Sequence, residues 1–365
     1  MNFYCAVCSH RETWPTMRWR CPCGQPFFVE DVPGFRPAAI RPQEPGIWRY
    51  RELLPPMPPH AEPVSMGEGN TPLLLEEWDG LRVGFKLEFL SPTGSFKDRG
   101  SSLLVSFLHA WGIHDVVDDS SGNAGASLAA YGARAGLQVR IFAPAHTSAA
   151  KRAQIRVYGA EFVPVEGPRS RATEAALEAV KAGAYYASHA YHPMFLEGVV
   201  TLGYELFEQL GRQMPDNLLF PVGHGSLIAS TYIAVRRMQE AGILHALPRF
   251  FAVQAQTCAP VFAAWQNGWE ETQETQSSHT VAEGISVARP AWGRCVLKAV
   301  RESGGAVLTV SDEEILTARE ALARRGLYVE PTAAVPFAAL MRLRQRFHAQ
   351  ELTVLPLTGH GLKAS

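Results

Sequence analysis

Three groups of residues in this chain have types and spacings that chemistry could use. Cys5-x-x-Cys8 and Cys21-x-Cys23 place four of the six cysteines within the first two dozen positions. Four thiolates can close a tetrahedral site around a structural zinc, leaving no position for water. The second pair is one residue short of the usual knuckle, so a metal-free head is the alternative. Lys97, followed by Asp98 and Arg99 where a helical pattern begins, is the second group. A lysine near a helix start and withdrawn from water loses basicity, and its neutral amine can attack an aldehyde and later move protons. Most lysines are solvated surface residues, and by type alone Lys97 ranks no higher than Lys86 or Lys151. The third group comprises glycine-rich polar loops: Ser120-Ser121-Gly122-Asn123-Ala124, Gly223-His224-Gly225-Ser226 and Thr358-Gly359-His360-Gly361. Loops of this kind at helix starts can hold an anion through unpaired N–H groups. A G-x-G-S string alone is more often a plain turn.

Something must position these loops, and the chain alternates short apolar runs with helical patterns. Arg82 to Leu87 reads as a strand, Ser91 to Ser95 as a loop, and Phe96 towards Trp111 as a helix with Leu103, Leu104, Phe107 and Leu108 inward. Val116-Val117 leads to the Ser120 loop and an alanine-rich helix, Ala124 to Ala135, closed by Gly136. Leu218 to Phe220 leads to the Gly223 loop and Thr353 to Leu357 to the Thr358 loop. Repeated strand-helix units predict an α/β fold with mostly parallel sheets and a ligand site at the carboxyl ends of strands. Ser311 to Glu314 reads as a capping box without chemical meaning. Residues 1–34 read as a zinc-ribbon-like head, the proline-rich 35–63 as a connector, and 64–365 as the main body, with a smaller subdomain at roughly 100–200.

With 365 residues, 47% hydrophobic, 19% charged and a net charge of -1, the chain is long enough for a large core and lacks the basic field that attracts nucleic acid. No apolar run reaches membrane-spanning length, and Met1 to Cys5 lacks signal-peptide character. The expectation is a cytoplasmic enzyme of small molecules, with neither nucleic acid nor membrane as partner.

Ser91-Pro92-Thr93-Gly94-Ser95-Phe96-Lys97-Asp98-Arg99-Gly100 closely resembles the cofactor-lysine motif of threonine synthases, pyridoxal-phosphate enzymes of the tryptophan-synthase-beta-like fold type II. Further matches lie at Gly67 to Leu73, Ala282 to Ile285, Val329 to Thr332 and Leu357 to Lys363, so the resemblance spans essentially the whole chain. It implies two open, mostly parallel sheet domains with the cysteine head in front, pyridoxal 5'-phosphate as cofactor, and Lys97 as its internal-aldimine lysine and acid/base. It further implies Asn123 on the cofactor's ring hydroxyl and Ser120, Ser121 and Ala124 around the substrate carboxylate. Gly223, His224, Gly225 and Ser226 would hold the cofactor phosphate, although His224 stands where asparagine is common, and Thr358 would face the pyridine nitrogen. A structural zinc on Cys5, Cys8, Cys21 and Cys23 and a homodimer fit the same picture.

The implied reaction converts O-phosphohomoserine to threonine by phosphate elimination and water addition. The substrate-phosphate half departs from the family pattern: in His192-Pro193-Met194-Phe195-Leu196-Glu197-Gly198-Val199-Val200-Thr201, asparagine, arginine and lysine positions have become His192, Phe195 and Val200. Pro168 likewise stands where many relatives have asparagine. Ser95, Lys151, Arg169 and Arg171 are the replacement donors to consider. Another elimination or β-replacement, of dehydratase or phosphoserine-dependent type, is the alternative. A zinc-ribbon nucleic-acid module on an inactive body is a third reading, against which the near-neutral charge and complete lysine loop count.

Overall fold

The computed structural model describes every residue except Ser121, His146, Ser148, Pro168, Gln276, Ser277, Ala364 and Ser365, and the side chain of Ala150. In chain order the elements are β1 (Asn2–Tyr4), β2 (Arg11–Thr13), β3 (Phe28–Val29), β4 (Leu73–Trp78), β5 (Leu81–Lys86), α1 (Lys97–Ala110), β6 (Asp115–Asp118), α2 (Asn123–Ala135), β7 (Gln138–Pro144), α3 (Ala149–Val157), β8 (Glu161–Val165), α4 (Arg169–Lys181) and β9 (Tyr185–Tyr186). There follow α5 (Pro193–Gln209), β10 (Asn217–Pro221), α6 (Ser226–Glu240), β11 (Arg249–Ala255), α7 (Pro260–Gln266), α8 (Gly293–Glu302), β12 (Ala306–Val310), α9 (Asp312–Ala323), α10 (Pro331–Leu343) and β13 (Leu352–Pro356).

The chain forms two units, each assembled from two separate stretches: Met1–Gly69 with Ser91–Val199, and Asn70–Leu90 with Val200–Ser365. The first holds a fully parallel sheet in the order β8-β7-β6-β9 and, at its amino-terminal end, a small antiparallel sheet β2-β1-β3. The second holds a sheet in the order β12-β11-β10-β13-β5-β4, parallel except for the antiparallel edge pair β4–β5. Its central strand β10 is buried at every residue, as a parallel strand covered on both faces requires. The first unit carries the Lys97 and Asn123 helix starts, and the second carries the loops after β10 and β13.

The proline-rich stretch between Phe35 and Pro63 contributes core residues. A 3₁₀ segment at Gly46–Leu53 buries Ile47, Trp48, Tyr50 and Leu53. Trp48 Nε1 donates to Glu68 Oε1 at 3.2 Å and to Ser102 Oγ at 3.1 Å. Glu68 also accepts from Ser65 Oγ, the Met66 N–H and the Tyr131 hydroxyl, the last at 2.7 Å. The Gly67-Glu68-Gly69 string is thus a buried junction tying this stretch to α1 and α2, and its carboxylate is tolerated there because donors surround it. The Ser311 capping box is present, with Glu314 N on Ser311 Oγ at 3.1 Å and Ser311 N on Glu314 Oε2 at 2.7 Å.

Candidate active site

Lys97 opens α1, and the residues before it are locked by the one after it. Gly94 adopts φ +82°, a left-handed conformation that favours glycine, and its N–H closes a turn on Ser91 O at 2.7 Å. Asp98, fully buried, takes the Thr93 N–H at 2.7 Å, the Thr93 hydroxyl and the Ser127 hydroxyl at 2.6 Å. Lys97 itself is half-buried. Its Nζ lies 4.4 Å from the Phe96 ring centroid and 5.7 Å from that of Phe195, so two aromatic faces wall the amine. Ser95 Oγ is buried with no hydrogen-bond partner among the described residues, which marks a place for a ligand group. Gly100 ends the motif for a packing reason: a Cβ there would stand 2.6 Å from the Phe195 ring.

The loop after β6 is equally constrained. Ser120 Oγ accepts from the Gly122 N–H at 3.3 Å, Ala124 is buried, and Asn123 begins α2 with no side chain capping it at Gly122. A Cβ on Gly125 would fall 1.9 Å from the Ser120 carbonyl oxygen, so only glycine lets the helix start fold back over the loop. Ser121 and Pro168 lie outside the described residues. Gly136 closes α2 in the left-handed conformation at φ +68°, as expected of a helix terminator.

Reasoning from residue types missed the buried polar cluster at the end of β6. Asp118, Asp119 and His189 are all buried, with ligand atoms within 4.8 Å of one another. His189 Nδ1 lies 3.1 Å from Asp118 Oδ2, and Asp119 accepts from the Tyr186 hydroxyl at 2.9 Å and from the Thr173 hydroxyl. Burial pushes the Asp118 carboxyl up to about 7 against the lowering fields of Arg169 and Lys97. Burial, followed by the field of Lys97, holds His189 down at about 3, so its ring is neutral at physiological pH. Two carboxylates directly before a Ser-Ser-Gly-Asn loop were the available signal.

The positions where the sequence departs from the family pattern have local explanations. Phe195 and Val200 are buried at 1% and 0% exposure, and neither side chain can pair with phosphate. His192 caps the start of α5: its Nδ1 accepts from the Met194 N–H at 3.1 Å while Nε2 meets the Tyr185 hydroxyl at 2.8 Å. An accepting Nδ1 assigns the proton to Nε2, and burial holds the ring neutral, down at about 3. Lys151 is half-buried on α3 and Arg169 exposed at the start of α4, both in the first unit. Arg171 is exposed and paired with Glu174 at 3.0 Å.

In the second unit, Gly225 stands at φ +88° just before α6, whose start has no side-chain cap, leaving helix N–H groups for an anion. A Cβ on Gly223 would come 2.9 Å from Gly284 O and 3.1 Å from Ile285 Cα. The His224 carbonyl accepts from Trp292 N at 2.9 Å, and Ser226 is buried at the first position of α6. Thr358, after β13, is 2% exposed, and its Oγ1 lacks a partner among the described residues. The Ala282–Ile285 and Val329–Thr332 strings support these loops: Gly284 N donates to Thr332 Oγ1 at 3.1 Å, Glu330 N to Gly359 O at 3.0 Å, and a Cβ on Gly359 would strike Glu330. In the first unit, the walled lysine amine and the unpartnered Ser95 hydroxyl suit a ligand carrying an aldehyde. In the second, the uncapped glycine cradle suits a phosphate and the unpartnered Thr358 hydroxyl a heteroaromatic nitrogen.

In the head, Cys5 Sγ lies 3.5 Å from Cys23 Sγ and Cys8 Sγ 3.3 Å from Cys21 Sγ, and the four sulfurs lie within 4.8 Å of one another with no disulfide. The His10 backbone N–H is the main influence lowering the Cys8 thiol to about 7, whereas burial raises Cys21 and Cys23.

A family model described as pyridoxal-phosphate dependent enzyme matches residues 64–359. A threonine synthase of Methanosarcina acetivorans is 35% identical over 87% of this chain and 80% of its own length. That of Methanocaldococcus jannaschii is 34% identical over 89% and 82%. Among solved structures, a threonine deaminase from T.th. superposes with a TM-score of 0.69 at 27% identity, over 80% of this chain and 92% of that one.

Proposed function

From a chain that belongs to the pyridoxal-phosphate dependent enzyme family and has threonine synthases as relatives, we infer a threonine synthase, a lyase that turns O-phosphohomoserine into threonine and phosphate. The observation that carries this reading is the Lys97 amine, half-buried at a helix start and walled by Phe96 and Phe195. Bound pyridoxal phosphate supplies an electron sink for charge that develops at the amino acid's α-carbon. Lys97 would hold the cofactor, and its amine nitrogen would move the α-proton. Ser120, Ser121 and the Ala124 N–H receive the substrate carboxylate at the start of α2, and Asn123 bonds the cofactor's ring hydroxyl. Gly223, His224, Gly225 and Ser226 take the cofactor phosphate at the start of α6. The Thr358 hydroxyl meets the pyridine nitrogen, and as a neutral group it holds a proton there less firmly than a carboxylate would.

With Phe195 and Val200 apolar and buried, the substrate phosphate depends on other donors, for which Ser95, Lys151 and Arg169 are the candidates. A dianion left without them would cost several kcal/mol on the order expected for unpaired burial. The same apolar positions favour, as the second reading, elimination from an unphosphorylated amino acid. Phosphate release from O-phosphohomoserine separates the two. The expected outcome is turnover that falls at least about tenfold in Arg169→Ala, as loss of one charge-assisted contact implies. No phosphate release, together with ammonia release from threonine or serine, would replace the main reading by the second. We also assign a structural zinc to Cys5, Cys8, Cys21 and Cys23, and a cytoplasmic homodimer as the working form.

A further inference from the structure

The cysteine head and the end of β6 share one segment, residues 185–192, which carries Tyr186 on Asp119 and His189 beside Asp118. Trp14 of the head packs edge-on against Tyr185 at 5.9 Å and His192 at 5.7 Å, and Phe3 against His192 at 6.0 Å. Trp19 stands edge-on to Tyr186 at 5.3 Å and to Tyr191 at 4.9 Å. It also packs on the core of Val117, Phe142, Ala176, Ala184 and Tyr186 around β6, and Arg20 lies over its ring at 4.4 Å. Tyr186 is therefore held on its ring by the head, while its hydroxyl donates to Asp119 at 2.9 Å. Asp119 directly precedes the Ser120 loop.

We propose that Trp19 is a positioning residue for amino acid binding: through Tyr186 and Asp119 it holds Ser120, the residue next to Asp119, where it receives the substrate carboxylate. Each link is a directional contact, since an edge-on ring pair fixes the plane of Tyr186, and that plane aims the hydroxyl at a carboxylate with two defined acceptors. Asp119 is tied at both oxygens, by Tyr186 and Thr173, so the strand end cannot turn without breaking one of the bonds. The head then belongs to the substrate site and is more than a stabilising appendage.

The inference rests on the carboxylate role assigned above to the Ser120 loop, and its test separates the two. In the holoenzyme, the dissociation constant for L-threonine is read from the change in visible absorbance of the bound cofactor, alongside cofactor content and melting temperature. Trp19→Ala and Tyr186→Phe should each weaken L-threonine binding about five- to tenfold, the equivalent of one directional contact, with cofactor content unchanged. Trp19→Phe should restore it, and the Trp19→Ala/Tyr186→Phe double variant should be no weaker than Trp19→Ala alone, since both act through one link. Tyr186→Phe loses only a hydroxyl and decides the matter if Trp19→Ala fails to fold. Binding unchanged within about twofold in Tyr186→Phe, or fully additive losses, would overturn the proposal, because a merely structural head lowers the melting temperature without moving this constant. A wild type with no visible band on adding cofactor would instead overturn the functional reading itself.

Discussion

Of three lysines that residue type cannot rank, the structure separates each by its surroundings. Lys86 is fully buried and committed to the Glu205 carboxylate, the Thr71 carbonyl and Gln209 Oε1, the last at 2.9 Å. Removing either member of that ion pair strands a buried charge and costs on the order of 3–5 kcal/mol in stability, so Lys86 is a scaffold residue. Lys151 is half-buried on α3. Lys97 alone combines a helix start, a locked preceding loop and two aromatic walls. Lys97→Ala is therefore expected to lose the visible absorbance of covalently held cofactor and about 10²–10⁴-fold or more in turnover, while melting close to wild type. Borohydride reduction that labels another lysine, with the band intact, would refute this. At Gly125 the demand is steric: the Cβ of Gly125→Ala would lie 1.9 Å from the Ser120 carbonyl. Overpacking of that kind costs about 1–3 kcal/mol and displaces the loop, so the variant should melt lower and bind amino acids more weakly. Wild-type values for both would show that the loop relaxes freely.

At the level of elements, the head builds its sheet from very little chain. Its sheet consists of strands of three, three and two residues, short enough that added cross-links matter. Four facing sulfurs supply such a link when zinc bridges them, and metal binding is then coupled to folding of the head. Native mass spectrometry of protein prepared without chelator should find one zinc per chain in a dimer. Replacing Cys8 and Cys23 by serine should release the zinc, increase proteolysis within the first three dozen residues and leave the β10–α6 loop protected. Zinc-free protein with an equally protected head would count against the metal. The helix starts behave differently, because the glycines of α1, α2 and α6 answer both to their own loops, as Gly125 does to Ser120, and to distant packing partners, as Gly100 does to Phe195 and Gly225 to Val296.

For the molecule as a whole, the interleaving of the two units limits what a linear reading can reach. The β4–β5 pair, cut out of the first unit's sequence, joins the sheet of β10 to β13, and the proline-rich stretch read as a connector instead buries Trp48 against Glu68 and Ser102. The alternation of apolar runs and helical patterns, the capping box at Ser311 and the glycine terminator at Gly136 were legible because each depends on neighbours within one or two turns of chain. The lysine motif and the glycine loops were legible for the same reason: a loop that cradles a ligand is built mostly by its own consecutive residues. The Asp118–His189 pair spans 71 positions, the Lys86–Glu205 pair 119 and the Thr71–Glu88 bond 17, and no local pattern announces which distant residue completes them. Sequence alone therefore determined the α/β class and the pyridoxal-phosphate dependent family, and it singled out Lys97 and the glycine loops as the places proposed for that chemistry. Only the tertiary structure decided that Phe195 walls that lysine, that His192 caps a helix, and that Trp19 backs the strand end before the Ser120 loop, because such contacts arise from packing many nonlocal surfaces at once.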